Sequence, residues 1–164
     1  MTEIVVNTVQ PLSTTMESEE KKIRILGIDP GLTSGFALLE CQLSTRKIEW
    51  PLVTQVKIEN YSLFLDSLVD LELSLISCED FTLRPGKQSE FMDRGFTSLE
   101  TAKLVGRTEQ FAYTNQIRIV TPQASNKPFA YKLIGMTYVK GKKNMHKHDA
   151  KAHARHALRM FWSI

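Results

Sequence analysis

The chain has 164 residues, 42% of them hydrophobic, and a formal charge of +3, enough for one domain with a core and too short for two comfortable ones. No apolar run approaches the roughly 20 residues of a membrane span, and the first 22 residues lack a basic start followed by an apolar block, which argues against secretion and for a cytoplasmic protein. Cys41 and Cys78 are far apart and match no CxxC pattern, so both are expected to be buried thiols rather than a disulfide or zinc ribbon.

Met1 to Glu20 is rich in Thr, Ser and Glu with little periodicity, and residues 1–22 read as a flexible arm ahead of a domain over 23–164. Ile23 to Asp29 is a near-continuous apolar run ending on a carboxylate, the pattern of a central strand covered on both faces. Pro30, Gly31 and Gly35 mark a tight turn into an antiparallel return over Phe36 to Glu40. A third strand over Lys47 to Ile58 contains Pro51, which favours an edge position or a bulge.

Asn60 is the expected N-cap of a helix over Tyr61 to Leu73, with Phe64, Leu68 and Leu71 on one face. Leu75 to Phe81 is a second buried strand that finishes in carboxylates, Glu79 and Asp80. Thr82 to Gly95 reads as an exposed loop, followed by a helix from about Thr97 to Asn115 with Gly106 inside it. That glycine costs about 1 kcal/mol against Ala unless close packing needs it, which points to a helix crossing there, within the chain or between subunits. Ile117 to Val120 is a short strand, Gln123 to Lys132 a loop running into a short helical stretch, and Gly135 to Lys143 a basic loop. His146 to Trp162, rich in alanine, is a final helix. This order is that of an α/β fold with a mixed sheet.

The net charge hides a division. From Arg118 onward ten Lys or Arg stand against one acid, Asp149, giving +9 in the last 47 residues and −6 in the rest. Such a strip can neutralise phosphates and release their counterions; the same composition also suits a solvated face with no partner.

On the final helix His146, Asp149 and His153 fall three and four residues apart, so they share a face. Asp29, Glu79 and Asp149 come from three different elements. Gathered without a cation, three carboxylates repel and one must take up a proton; with Mg²⁺ or Mn²⁺ they become a site for hard divalent ions. Two such ions about 4 Å apart can activate a water and stabilise the leaving oxygen in phosphodiester cleavage. A GIDPG turn also fits an ATP-dependent kinase, but neither a second phosphate loop nor the chain length for one is present. A structural zinc site is disfavoured because no cysteine is near the histidines in sequence.

GIDPGLTSGFALLE, LISCEDF about 40 residues on, and the HKHDAKAHARHALRM helix together resemble the RuvC type of Holliday junction resolvase, in particular its short viral (phage) members, within the RNase H-like superfamily. The resemblance covers roughly Ile23 to Trp162. It implies an RNase H-like, five-stranded mixed sheet with helices on both faces, and a homodimer that cuts four-way DNA junctions symmetrically with Mg²⁺ or Mn²⁺. A less selective branched-DNA or flap nuclease, or a binding module of the same fold that has lost its chemistry, is the alternative. By position the resemblance implies Asp29, Glu79, His146 and Asp149 as metal ligands and catalytic residues, two ions per site; neighbours on a strand face opposite ways, so only one of Glu79 and Asp80 can face the metals, and the family pattern implies Glu79. His146 departs from the aspartate found in many members, and an imidazole there shifts the preference toward Mn²⁺. His153 is expected to hold Asp149 in place from behind. Phe81 is a candidate for stacking on an unpaired base or for simple core packing. Arg84, Lys87, Lys127, Lys132, Lys140, Lys142, Lys143 and Lys147 are candidate phosphate contacts, one of which could steady charge on the scissile phosphate.

Overall fold

The structure, a computed structural model, describes residues 21–81, 88–140 and 145–163, and for residues 88–98 the backbone alone. The expected arm falls almost wholly outside the described residues. β1 (Lys22–Asp29), β2 (Thr33–Gln42) and β3 (Ile48–Lys57) form an antiparallel meander, and β4 (Leu75–Cys78) and β5 (Arg118–Val120) add in parallel on the other side of β1. The sheet order is β3-β2-β1-β4-β5, with β1 central as its unbroken apolar run requires. Pro51 meets both of its expected conditions: β3 is an edge strand, and the register slips between Leu38 and Glu40 opposite it.

Side-chain parity divides β1 between two layers. Leu26 and Ile28 join a cluster with Tyr61 and Leu65 of α1 (Tyr61–Asp66) and with Leu104 and Phe111 of α2 (Gln88–Thr114). Ile23 and Ile25 join Ala154, Ala157 and Leu158 of α4 (His146–Trp162) on the opposite face. Gly27 and Asp29 share that parity and face α4. On β4, Ile76 and Cys78 belong with the first layer and Leu75 with the second, so Ser77 and then Glu79 point toward α4. α3 (Lys127–Leu133) packs beside α4. Cys41 and Cys78 are free and buried. Among the described residues no helix is long and apolar enough to cross a membrane.

The helices depart from expectation at their ends. α1 stops at Asp66 rather than Leu73: the Ser67 hydroxyl donates to the Phe64 carbonyl, a single 3-10 turn follows, and Glu72 reverses the chain at φ 48°. Asn60 precedes α1 but makes no capping hydrogen bond through its side chain. α2 begins at Gln88, so helix replaces the end of the expected loop. The expected loop closes at Gly95, yet one glycine costs only about 1 kcal/mol, and a helix of 27 residues absorbs it. At Gly106 a Cβ would meet nothing within 4 Å, which rules out a crossing at that point among the described residues of this chain.

α4 lies unusually close to the sheet because small residues meet there. Gly27 pairs with Ala37 on one side and Ser77 on the other, a shallow row beneath Ala150 and Ala154. A Cβ on Gly27 would overlap the Ala150 carbonyl oxygen and lie 2.9 Å from the Ala154 Cβ; one on Gly35 would overlap the His146 carbonyl. Both obstacles are backbone and cannot rotate away. Gly27→Ala and Gly35→Ala are each expected to lower unfolding free energy by about 3 kcal/mol or more, the upper range for overpacking, measured by urea denaturation.

Candidate metal centre

Three elements deliver carboxylates to one point. Asp29 is the last residue of β1 and is 4% exposed. Glu79 sits one residue past β4, its N–H still bonded to the Ile28 carbonyl at 3.1 Å, which holds it beside Asp29. The parallel register continues to Asp80, whose N–H donates to the Pro122 carbonyl at 3.0 Å and whose side chain has the parity of the α1–α2 layer. α4 supplies His146, Asp149 and His153 from one face, as their spacing requires.

At the centre is a cation from the protein itself. Lys127 Nζ lies 3.0 Å from Asp29 Oδ1, 2.8 Å from Glu79 Oε2 and 3.1 Å from Asp149 Oδ2. Its side chain is 12% exposed. The Tyr131 hydroxyl, on the same face of α3 one turn later, donates to Asp149 Oδ1 at 2.5 Å. His146 Nδ1 lies 2.6 Å from Asp29 Oδ2. His153 Nε2 lies 3.6 Å from Glu79 Oε2, beyond hydrogen-bond reach, and this buried nitrogen has no hydrogen-bond partner among the described residues.

The electrostatics follow from this crowding. Burial pushes the Asp29 carboxyl up to about 6, against the opposing pull of His146 and Lys127. Burial acts to raise Glu79 too, but His153, the Asp29 carboxyl and the Lys127 ammonium outweigh it and hold Glu79 well below the usual carboxylate range. Burial alone would lower Lys127, yet the three carboxylates drive it further up, so it stays charged. The Asp29 hydrogen bond raises His146. Burial and Asp149 together raise Tyr131, so its hydroxyl remains a donor.

Of the expected ligands, Asp29, Glu79, His146 and Asp149 all reach this cluster. Two residues take other positions. His153 does not stand behind Asp149: its ring faces the sheet at Glu79, while Asp149 is held by Lys127 and Tyr131 instead. Lys127, expected on the phosphate-facing strip, has its ammonium inside the acidic pocket: it is the first residue of α3, ahead of Pro128, and its side chain turns inward. Tyr131 was not singled out, although its spacing of four from Lys127 places both on one face. Lys132, Lys140 and Lys147 are exposed. Phe81 is half-buried and, among the described residues, belongs to none of the apolar clusters. Arg84, Lys87, Lys142 and Lys143 lie outside the described residues.

No protein-family model and no curated protein matches the sequence. Solved structures do match in three dimensions. RuvC of Thermus thermophilus in complex with a Holliday junction substrate superposes with a TM-score of 0.61 at 16% identity, over 84% of this chain and 96% of that one. A second RuvC structure from that organism gives 0.59 at 14% identity, over 86% and 97%. The fold is that of RuvC. The fowlpox virus Holliday junction resolvase has it as well, with a TM-score of 0.52 at 13% identity over 87% and 100%.

The residues gathered in this RuvC fold suit a divalent cation. Ligand atoms of Asp29, Glu79 and His153 all lie within 4.8 Å of one another, the His153 nitrogen is buried without a hydrogen-bond partner among the described residues, and an ammonium already concentrates positive charge at the point where Asp149 joins them. Removing that ammonium leaves the carboxylates uncompensated. Lys127→Met is therefore expected to lose about 3–5 kcal/mol of stability in EDTA, and saturating Mn²⁺ to recover more stability in the variant than in the unsubstituted protein, read by urea denaturation with and without the ion.

Proposed function

We propose that this protein is a metal-dependent endodeoxyribonuclease that resolves four-way DNA junctions as a homodimer, in a bacterial or phage-infected cytoplasm. The observation that carries the reading is the convergence of Asp29, Glu79 and Asp149 on Lys127 Nζ at 2.8–3.1 Å in a fold whose solved neighbours are RuvC and a Holliday junction resolvase. Asp29, Glu79 and Asp149, with the imidazoles of His146 and His153, are the residues that would hold two Mg²⁺ or Mn²⁺ ions. Those ions, when bound, supply a Lewis acid for the phosphate and a lowered pKa for the attacking water.

The protein's own residues do the positioning. Tyr131 fixes one oxygen of Asp149 and leaves the other to the centre. His146 fixes one oxygen of Asp29 in the same way. Lys127 carries positive charge into the pocket and is the lysine best placed to steady charge on the scissile phosphate. Two imidazoles in the donor set favour Mn²⁺ over Mg²⁺. Lys132, Lys140 and Lys147 offer exposed charge and Lys151 lies 4.6 Å over the Trp50 ring, so the protein combines an acidic centre with exposed basic residues, the charge types needed to hold DNA by its phosphates. Phe81, at the mouth of the strand that carries Glu79, is the side chain proposed to meet unpaired bases at the junction.

The dimer reading rests on α2. Leu99, Gly106 and Tyr113 recur every seven residues on one stripe of the helix, with Leu99 53% and Tyr113 83% exposed and open space at Gly106.

A labelled four-way junction, a flap and a linear duplex, each incubated with Mn²⁺, Mg²⁺ or EDTA, test the proposal. The expected result is paired nicks on opposing strands of the junction, faster with Mn²⁺ than Mg²⁺, absent in EDTA and in Asp29→Asn, and slowed about 10–100-fold in Tyr131→Phe. Equal cutting of linear duplex removes the junction selectivity, cutting in EDTA removes the metal chemistry, and unpaired nicks remove the dimer.

A further inference from the structure

Beyond the metal centre, α4 carries a second cluster. His156, one turn past His153, packs its ring edge-on against Phe129 with centroids 5.9 Å apart, and the Arg159 guanidinium lies 4.7 Å from the Phe129 centroid. Phe129 remains 42% exposed. His156 also lines a pocket of about 220 Å³ walled by Val120, Pro122 and Met160, with Thr121, Gln123 and Asn126 as its other polar residues.

Size, surface and charge narrow the occupant. The volume falls below the roughly 300–1,000 Å³ of pockets for drug-sized ligands, the scale of one heteroaromatic ring system. The neighbouring groups are flat and one is cationic, the combination on which bases stack. None of the lining residues is acidic, in contrast with the metal centre next door. The two sites are joined by short links. Asn126 precedes Lys127, Pro122 accepts the hydrogen bond from Asp80, which follows Glu79, and His156 lies about 4.5 Å along α4 from His153. That offset is on the order of one nucleotide step in a strand.

Resting on the DNA-cleavage reading, we infer that Phe129, Arg159, His156 and this pocket hold one unstacked nucleobase beside the scissile phosphate. The base stacks on the planar side chains and offers its edge to Gln123 and Asn126, whose amides can pair with a donor and an acceptor together. The pocket thereby makes an unpaired or easily unpaired nucleotide a condition of cutting, and the amides read which base it is.

Phe129 and Gln123 are exposed, so Phe129→Leu and Gln123→Ala are expected to melt at the temperature of the unsubstituted protein. Binding of the full chain to a labelled single strand, a four-way junction and a blunt duplex, measured in EDTA, tests the stacking. Phe129→Leu is expected to weaken the single strand and junction about tenfold and leave the duplex unchanged. With Mn²⁺ added, Gln123→Ala is expected to cut junctions that differ only in the base flanking the nick at equal rates, where the unsubstituted protein discriminates. An unchanged or uniform loss in Phe129→Leu, or unaltered discrimination in Gln123→Ala, overturns the base pocket and leaves the nuclease reading standing. If the unsubstituted protein binds none of the three DNAs, both fall.

Discussion

Everything at the metal centre depends on how closely α4 approaches the sheet. Gly27, Ala37 and Ser77 form a row of small side chains across three neighbouring strands, and Ala150 and Ala154 come down on it so tightly that no Cβ fits at Gly27. The next position along β1 on the same face is Asp29, paired with Gly35, where the absent side chain admits the His146 backbone. One contact thus sets both the height of the helix and its axial position. With those fixed, His146, Asp149 and His153 reach the strand ends without further devices. A helix held even a side chain's thickness farther off would leave the Asp149 carboxylate out of reach of the Asp29 site.

The second constraint is charge. Three buried or half-buried carboxylates cannot coexist without compensation, and the protein meets the demand with Lys127 while Asp29 moves toward a proton-binding range. The compensation is local, since the acids gather around one ammonium within a chain whose C-terminal stretch is basic. This separation of scales would suit a phosphodiester substrate, which positive charge would attract at a distance and carboxylates able to hold a divalent ion would meet at the centre. Lys127 belongs to both, being a residue of the basic strip whose ammonium the structure puts among all three acids.

The parts of the fold legible in the sequence were those fixed by local pattern. The apolar run of β1 ending at Asp29, the alanine-rich helix His146–Trp162 and the edge position of Pro51 follow from burial, propensity and the missing proline donor. Strand parity alone separates Glu79 from Asp80, once the layer to which Cys78 belongs is known. What was not legible depends on tertiary approach. The orientation of His153 toward Glu79 rather than Asp149 is decided by which strand end lies under that turn of α4, and the inward turn of Lys127 by where the seven-residue helix Lys127–Leu133 begins. Tyr131 left a weak trace, its spacing from Lys127, which gains meaning only when Asp149 is known to lie opposite. The early start of α2 at Gln88 was obscured by Gly95, a residue whose cost a long helix can carry.

The most direct measurement of the central claim, that these elements assemble a divalent-metal site, is Mn²⁺ binding to the full chain followed by electron paramagnetic resonance, beside the Asp29→Asn, Asp149→Asn double variant. Saturable loss of the free-ion signal in the unsubstituted protein, absent in a double variant of unchanged circular dichroism, is the result predicted. Mn²⁺ binding that survives both substitutions, or that the unsubstituted protein never shows, would contradict it.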